Sequence, residues 1–248
     1  MLPSQGRGRG FKSPLSLKMM TDHQRQQLQV IKTIEEQVKN QSLQFSTVAP
    51  VRDYENDPRI CLTTVHFPRQ DLIQQTQQSI IDPLRQLEPE HYYYPPESLH
   101  MTIKNLRIIH DPPPFDDAYI EKAKKVITEI IPNHRRFNAY FYRLLLFPNN
   151  LSLIGTTDLE LDSIILDLNA SLEEQGIPDD KVYANDKNFF CNMTLARFSG
   201  VPSNALRKKV EELSALIVFP PYMIDSVTLV SCNAAFQKLQ KHHEWSLR

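Results

Sequence analysis

Glycine is scarce in this chain of 248 residues: six in all, three of them within the first ten. That leaves no material for a glycine-rich phosphate loop, which uses successive small residues so that backbone N–H groups can approach the anion. Cysteine is nearly as rare. Cys61, Cys191 and Cys232 are far apart, and each lies in an apolar, strand-like run. An odd count with no CxxC pair speaks against a disulfide framework, and no HExxH or EF-hand pattern supports a metal site. Buried thiols in a reducing cytoplasm fit this usage best. No apolar run approaches the roughly 18 residues of a membrane span, and no charged segment leads into an apolar core and cleavage site. Neither charge sign dominates: 28 Lys and Arg stand against 29 Asp and Glu, a formal net charge of −1. A duplex-DNA surface would carry a basic excess, so that class is disfavoured, while a local basic cleft is compatible.

What remains is a composition 41% hydrophobic and 23% charged, enough to build one domain of two lobes or two small domains around a sizeable core. Residues 1–18, with Gly6-Arg7-Gly8-Arg9-Gly10, lack apolar periodicity and read as a disordered tail. Residues 19–45 hold an appended helix. Thr21 and Asp22 offer its N-cap, and Leu28, Ile31, Ile34, Glu35 and Val38 carry a thin stripe at helical spacing. That stripe suits packing on the domain or contact with a partner through residues 20–40. Residues 46–58 read as a polar, proline-bounded linker.

Strand and helix patterns then alternate through 59–248. Strands are expected at 59–67, 98–109, 189–198, 224–232 and 237–247, with a hairpin over 137–147 and 151–154. Helices are expected at 71–87 (shortened or kinked by Pro83), 116–131, 159–175 and 203–217.

Within this alternation one short pattern occurs twice. Leu99-His100-Met101-Thr102-Ile103 is echoed by Cys191-Asn192-Met193-Thr194-Leu195, with Asn192 standing 92 positions after His100. On a strand, His100 and Thr102 share one face, with Leu99, Met101 and Ile103 behind; Asn192 and Thr194 repeat the arrangement. Each motif strand follows one helix and precedes another, so the echo points to a duplication with two lobes facing each other. The predicted class is α+β and bilobal: two antiparallel sheets face a central cleft, helices lie outside, and the motif strands line the cleft. Parity puts Lys104 on the His100 face, where an ammonium would neutralise phosphate; a solvated or structurally paired lysine fits the position equally well. It puts Arg197 opposite Thr194, although near a strand end.

The stretches Ser98-Leu99-His100-Met101-Thr102-Ile103 and Asn192-Met193-Thr194-Leu195-Ala196-Arg197 resemble the paired HxT strands of the 2H phosphoesterase superfamily. Within it, the chain looks most like the 2'-5' RNA ligase group, also called RNA 2',3'-cyclic phosphodiesterases. The resemblance spans about residues 59–247. It implies a bilobal fold in which two histidines flank a phosphate, one as general base on the attacking oxygen and one as acid on the leaving ribose oxygen. Two threonines hold the phosphate oxygens, and neither metal nor nucleotide cofactor is needed. Carried over residue by residue, His100 is catalytic, Thr102 and Thr194 are the paired hydroxyls, and Arg197 takes a substrate role. Asn192 stands where the second histidine would be.

That departure is the central question. An amide donates and accepts hydrogen bonds but does not titrate in the working pH range. A positioned acid or base contributes about 10²- to 10⁴-fold, so the two-histidine reaction would be crippled while phosphate binding survives. Among His66, His91, His110, His242 and His243, His66 at the end of the first strand is best placed to reach the cleft, though a surface or packing role is the commoner one for each. Tyr92, Tyr93 and Tyr94 read as a cleft rim, where a ring could stack on an unpaired base. Three readings follow. The first is a cytoplasmic phosphoesterase acting on an RNA end or nucleotide with a cyclic or 2'-5' phosphate, through His100. The second is a catalytically inactive module whose Thr102, Thr194, Asn192 and Arg197 bind such an end. The third is a scaffold using the N-terminal helix.

Overall fold

The structure, a computed structural model, describes residues 20–45 and 47–248; the tail expected at 1–18 lies outside the described residues. Among the described residues, nine strands form one antiparallel sheet. In chain order they are β1 (Ile60–His66), β2 (Tyr92–Tyr93), β3 (Met101–His110), β4 (Phe137–Leu146), β5 (Asn150–Thr157), β6 (Cys191–Arg197), β7 (Tyr222–Ile224), β8 (Ser226–Cys232) and β9 (Leu239–Ser246). Their spatial order is β7-β4-β5-β6-β3-β1-β8-β9, and β2 pairs with β6. The two motif strands, β3 and β6, meet at the centre through a single residue pair, Met101 opposite Met193. Each expected lobe is therefore one half of a curled sheet, on either side of that seam. Met101, Met193 and Leu195 are fully buried behind it, with Leu99 and Cys191 beside them.

The helices are α1 (Asp22–Lys39), α2 (Gln70–Thr76), α3 (Asp82–Leu87), α4 (Asp117–Ile130), α5 (Glu160–Glu174) and α6 (Asn204–Leu216). The segment expected as one helix over 71–87 is divided by a π-turn, Gln77–Ile81, just ahead of Pro83. Proline has no N–H for the preceding turn, and a widened turn absorbs the break without ending the helix.

Helix α1 packs on its own domain. Thr21 and Gln24 close a reciprocal capping box at its start. Ile31 and Ile34 are buried against Leu145 of β4 and Ile154 of β5. Arg143 pairs with Glu35 at 2.8 Å. The stripe that suited a partner is thus covered within the chain. Gln27, fully buried, donates its amide to Thr157 Oγ1 at 2.8 Å and to the Phe189 carbonyl, and its Oε1 accepts from the Thr157 N–H at 2.9 Å. Gln27→Leu would leave a buried backbone donor and a buried carbonyl unpaired. It is expected to lower stability by about 2–3 kcal/mol, read as a shifted urea midpoint with an unchanged slope.

The segment expected as a linker is likewise packed. Val48, Val51 and Tyr54 join a small cluster with Ala234 and Ala235, and Asp57 grips Arg59 at 2.8 Å.

Candidate functional site

A β-bulge just past the threonine of each motif strand decides which side chains reach the cleft. On β1, Thr64 faces Lys104 and Val65 faces Thr102, so Ile103 has no partner. On β5, Leu151 faces Ala196 and Ser152 faces Thr194, so Leu195 has none. The two bulges occupy equivalent places, one residue past each threonine. An unpaired residue inverts the alternation beyond it. The residue three past each threonine, Asn105 or Arg197, therefore turns back onto the threonine's face, and the residue two past turns away.

The cleft encloses about 300 Å³ and is lined by His100, Thr102 and Asn105 from β3 and by Asn192, Thr194 and Arg197 from β6. Lys104 is turned to the opposite side. It is buried there, with its ammonium on the Asp179 carboxylate and 3.2 Å from the Tyr183 hydroxyl. Of the two roles open to Lys104, the structure shows the structural pairing and not the phosphate contact, because the bulge at Ile103 reverses parity. The same device at Leu195 removes the conflict between parity and the substrate role expected of Arg197.

His100 is held from three sides. Its Nδ1 donates to the Ser98 carbonyl at 2.8 Å. A carbonyl can only accept, so Nδ1 carries the proton and the neutral ring keeps its lone pair on Nε2. Its face stacks on Phe236, with centroids 3.5 Å apart and planes at 17°, and Tyr94 meets it edge-on at 5.9 Å. Phe236 adopts φ 59°, a left-handed conformation that costs a non-glycine residue roughly 1–2 kcal/mol. Asn233 holds the turn in that shape: its Oδ1 accepts from the Gln237 N–H at 3.0 Å, and its Nδ2 donates to the Glu55 carbonyl at 3.1 Å.

Arg197 Nε donates to the Tyr94 hydroxyl at 2.9 Å and to the Ala234 carbonyl at 3.2 Å, anchoring a guanidinium in the cleft wall. Burial pushes the His100 pKa down to about 4; the Ser98 bond opposes this, and the charge of Arg197 adds to it. The imidazole is therefore neutral at pH 7. Between the unfolded value near 6.5 and about 4, the unfolded chain binds a proton at this position that the folded chain refuses. Stability from this group is thus intact above the window and falls as pH drops through it, by about 3 kcal/mol in total. His100→Gln is expected to lose that part of the acid sensitivity, measured by urea unfolding at about pH 7 and about pH 4.5.

Two further residues were not anticipated. Lys181, from the loop between α5 and β6, lines the cleft, and burial pushes its ammonium pKa down against the pull of Asp179. Asn105 is the counterpart of Arg197 in the first copy. Val30 and Ile34 of α1, with Phe45, Phe147 and Phe190, add an apolar wall to the same cleft. The other residues expected nearby lie elsewhere. His66 is buried between the Tyr222 hydroxyl and the Ser226 carbonyl, 3.0 Å from each. The hydroxyl groups of Tyr92, Tyr93 and Tyr94 are bonded to backbone carbonyls, and none of the three rings lines the cleft. His100 is the one histidine among the described residues that does. Glu88, Glu90 and His91 bring possible ligand atoms within 4.8 Å of one another. Glu88 is already bonded there to His91 and to the Ser203 N–H, away from the cleft.

The fold matches solved structures along nearly their whole length. Escherichia coli LigT is 14% identical over 77% of this chain and 99% of its own, with a TM-score of 0.50. TT0787 of Thermus thermophilus is 16% identical over 77% and 98%, at 0.50. ATU0111 of Agrobacterium tumefaciens, a conserved protein of unknown function, is 16% identical over 84% and 97%, at 0.52. No family model matches the sequence, and no curated protein does. The chain thus shares the fold of LigT, TT0787 and ATU0111. No helix among the described residues is long and apolar enough to cross a membrane.

Proposed function

We propose that this chain, built on the LigT-like fold, is a phosphoesterase that opens 2',3'-cyclic phosphates at RNA or nucleotide ends with a single acid–base residue, His100. The observation that carries this reading is the tautomer of His100. A neutral ring with Nδ1–H fixed on the Ser98 carbonyl presents a basic Nε2, the state required of a general base.

Thr102 and Thr194 offer hydroxyls to the non-bridging phosphate oxygens, and Arg197 and Lys181 supply positive charge. Water attacks phosphorus and passes a proton to Nε2, and one ring P–O bond breaks. The departing ribose oxygen receives a hydrogen bond from the Asn192 amide and its proton from solvent. Relief of ring strain makes a cyclic phosphate less dependent on a general acid than a linear diester.

Asn192 also favours a second reading, a binding module that keeps the phosphate pocket and lacks turnover. Following a nucleoside 2',3'-cyclic phosphate by ³¹P NMR separates the two. Slow conversion to one monophosphate isomer is the expected result. No conversion, with a raised melting temperature in the presence of the ligand, would assign the binding role. Neither conversion nor a shift would remove both.

A further inference from the structure

Two of the three cysteines face each other across the sheet. Cys61 of β1 and Cys232 of β8 are direct partners in the antiparallel register. Both are free thiols, with their sulfurs 3.6 Å apart. A disulfide needs about 2.05 Å between sulfurs and Cβ atoms roughly 3.5–4.5 Å apart. Facing positions on neighbouring antiparallel strands have Cβ atoms about 4.5–5.5 Å apart, so a small shift of the strands and side-chain rotation close the gap.

The environments of the two thiols differ in a way that orders the chemistry. Cys61 is half-buried and lines the cleft, together with Arg197 and Lys181. Cys232 is fully buried behind it. We propose that Cys61 and Cys232 form an oxidisable dithiol in the cleft wall, which hydrogen peroxide entering the cleft converts to a disulfide. This inference does not rest on the phosphoesterase reading.

Cys61 is the sulfur that reacts first. Its hydrogen bond with Cys232 favours the thiolate against the opposing effect of its own burial, and the charges of Arg197 and Lys181 add to it, whereas burial raises Cys232. The Cys61 thiolate attacks one peroxide oxygen, the O–O bond breaks, and a sulfenic acid forms with release of one water. Cys232 sulfur then attacks the Cys61 sulfur, and the sulfenic oxygen leaves as the second water. The two thiols lose two electrons and two protons, and the peroxide takes them up. The closed bond lies one residue before Asn233, which shapes the turn stacking Phe236 on His100. Oxidation is therefore delivered to the seat of the site. Cys191, buried outside the cleft, is an internal control.

The test uses the full chain, reduced, desalted and exposed to hydrogen peroxide at neutral pH. It is then unfolded in N-ethylmaleimide, digested and analysed by mass spectrometry. A Cys61–Cys232 cross-linked peptide that dithiothreitol reverses, with Cys191 still alkylated, is the expected result. Cys232→Ser should instead leave Cys61 as a sulfenic acid that dimedone traps. If that variant does not fold, Cys61→Ala should leave Cys232 unoxidised at the same peroxide dose. Equal alkylation of all three cysteines after peroxide would overturn the proposal, as would Cys61 reaching sulfinic acid while Cys232 stays a free thiol.

Discussion

His100→Ala is expected to lower turnover of a nucleoside 2',3'-cyclic phosphate by about 10²- to 10⁴-fold, equivalent to about 3–5 kcal/mol of barrier. His100 is the cleft histidine, and its neutral ring is stacked on Phe236 and bonded to Ser98. Removing it takes away the base and leaves Thr102, Thr194, Arg197 and Lys181 in place. The loss should therefore fall on kcat, with the dissociation constant for the nucleotide nearly unchanged. His100→Gln separates chemistry from packing, because it fills much of the same space and still cannot accept a proton. Both variants should be equally inactive, and turnover that survives in either would sink the general-base assignment.

Asn192→His is expected to raise turnover by a comparable factor, about 10²- to 10⁴-fold. Position 192 already lies in the cleft, half-buried opposite Ile154 of β5. An imidazole there would give the leaving oxygen an acid on the side where only an amide now stands. The pH dependence provides a sharper criterion than the rate. With one titrating group, wild-type activity should rise through the His100 pKa of about 4 and then level off. With two, the profile should become a bell, its alkaline limb set by loss of the proton from residue 192 near an ordinary histidine value of about 6.5. A faster variant with an unchanged profile would mean that the new ring acts without titrating. No gain at all would show that the second half of the cleft no longer positions a leaving group.

Much of this protein was legible before any coordinates. The repeated x-His/Asn-x-Thr-x pattern placed two strands and their shared face, since side-chain alternation is a local property of the extended chain. Capping residues and helical spacing located α1, α4, α5 and α6 to within a few residues. The missing charge bias weighs against a duplex-DNA surface, and the missing apolar runs against a membrane-spanning helix. Shorter elements escaped. β2 and β7 hold only two and three residues, too few for any periodicity to register, and the π-turn before Pro83 leaves no compositional mark.

The site residues divide along the same line. His100, Thr102, Asn192 and Thr194 precede the bulges, so simple parity placed them correctly on the cleft face. Lys104 and Arg197 follow the bulges, so parity alone sets both on the wrong side. A bulge depends on how the neighbouring strand pairs, and Val65 and Ser152 are far away in sequence from the residues they displace. Lys181, Phe236 and the α1 wall enter the cleft through contacts of the same long range. The α+β class and the twin strands, with an imidazole on one and an amide at the matching place on the other, follow from residue type and short spacing alone. Long-range packing sets which cation reaches the cleft, which nitrogen of His100 is basic and how two distant cysteines come to face each other. Each of those depends on backbone geometry and strand pairing that residue type does not encode locally.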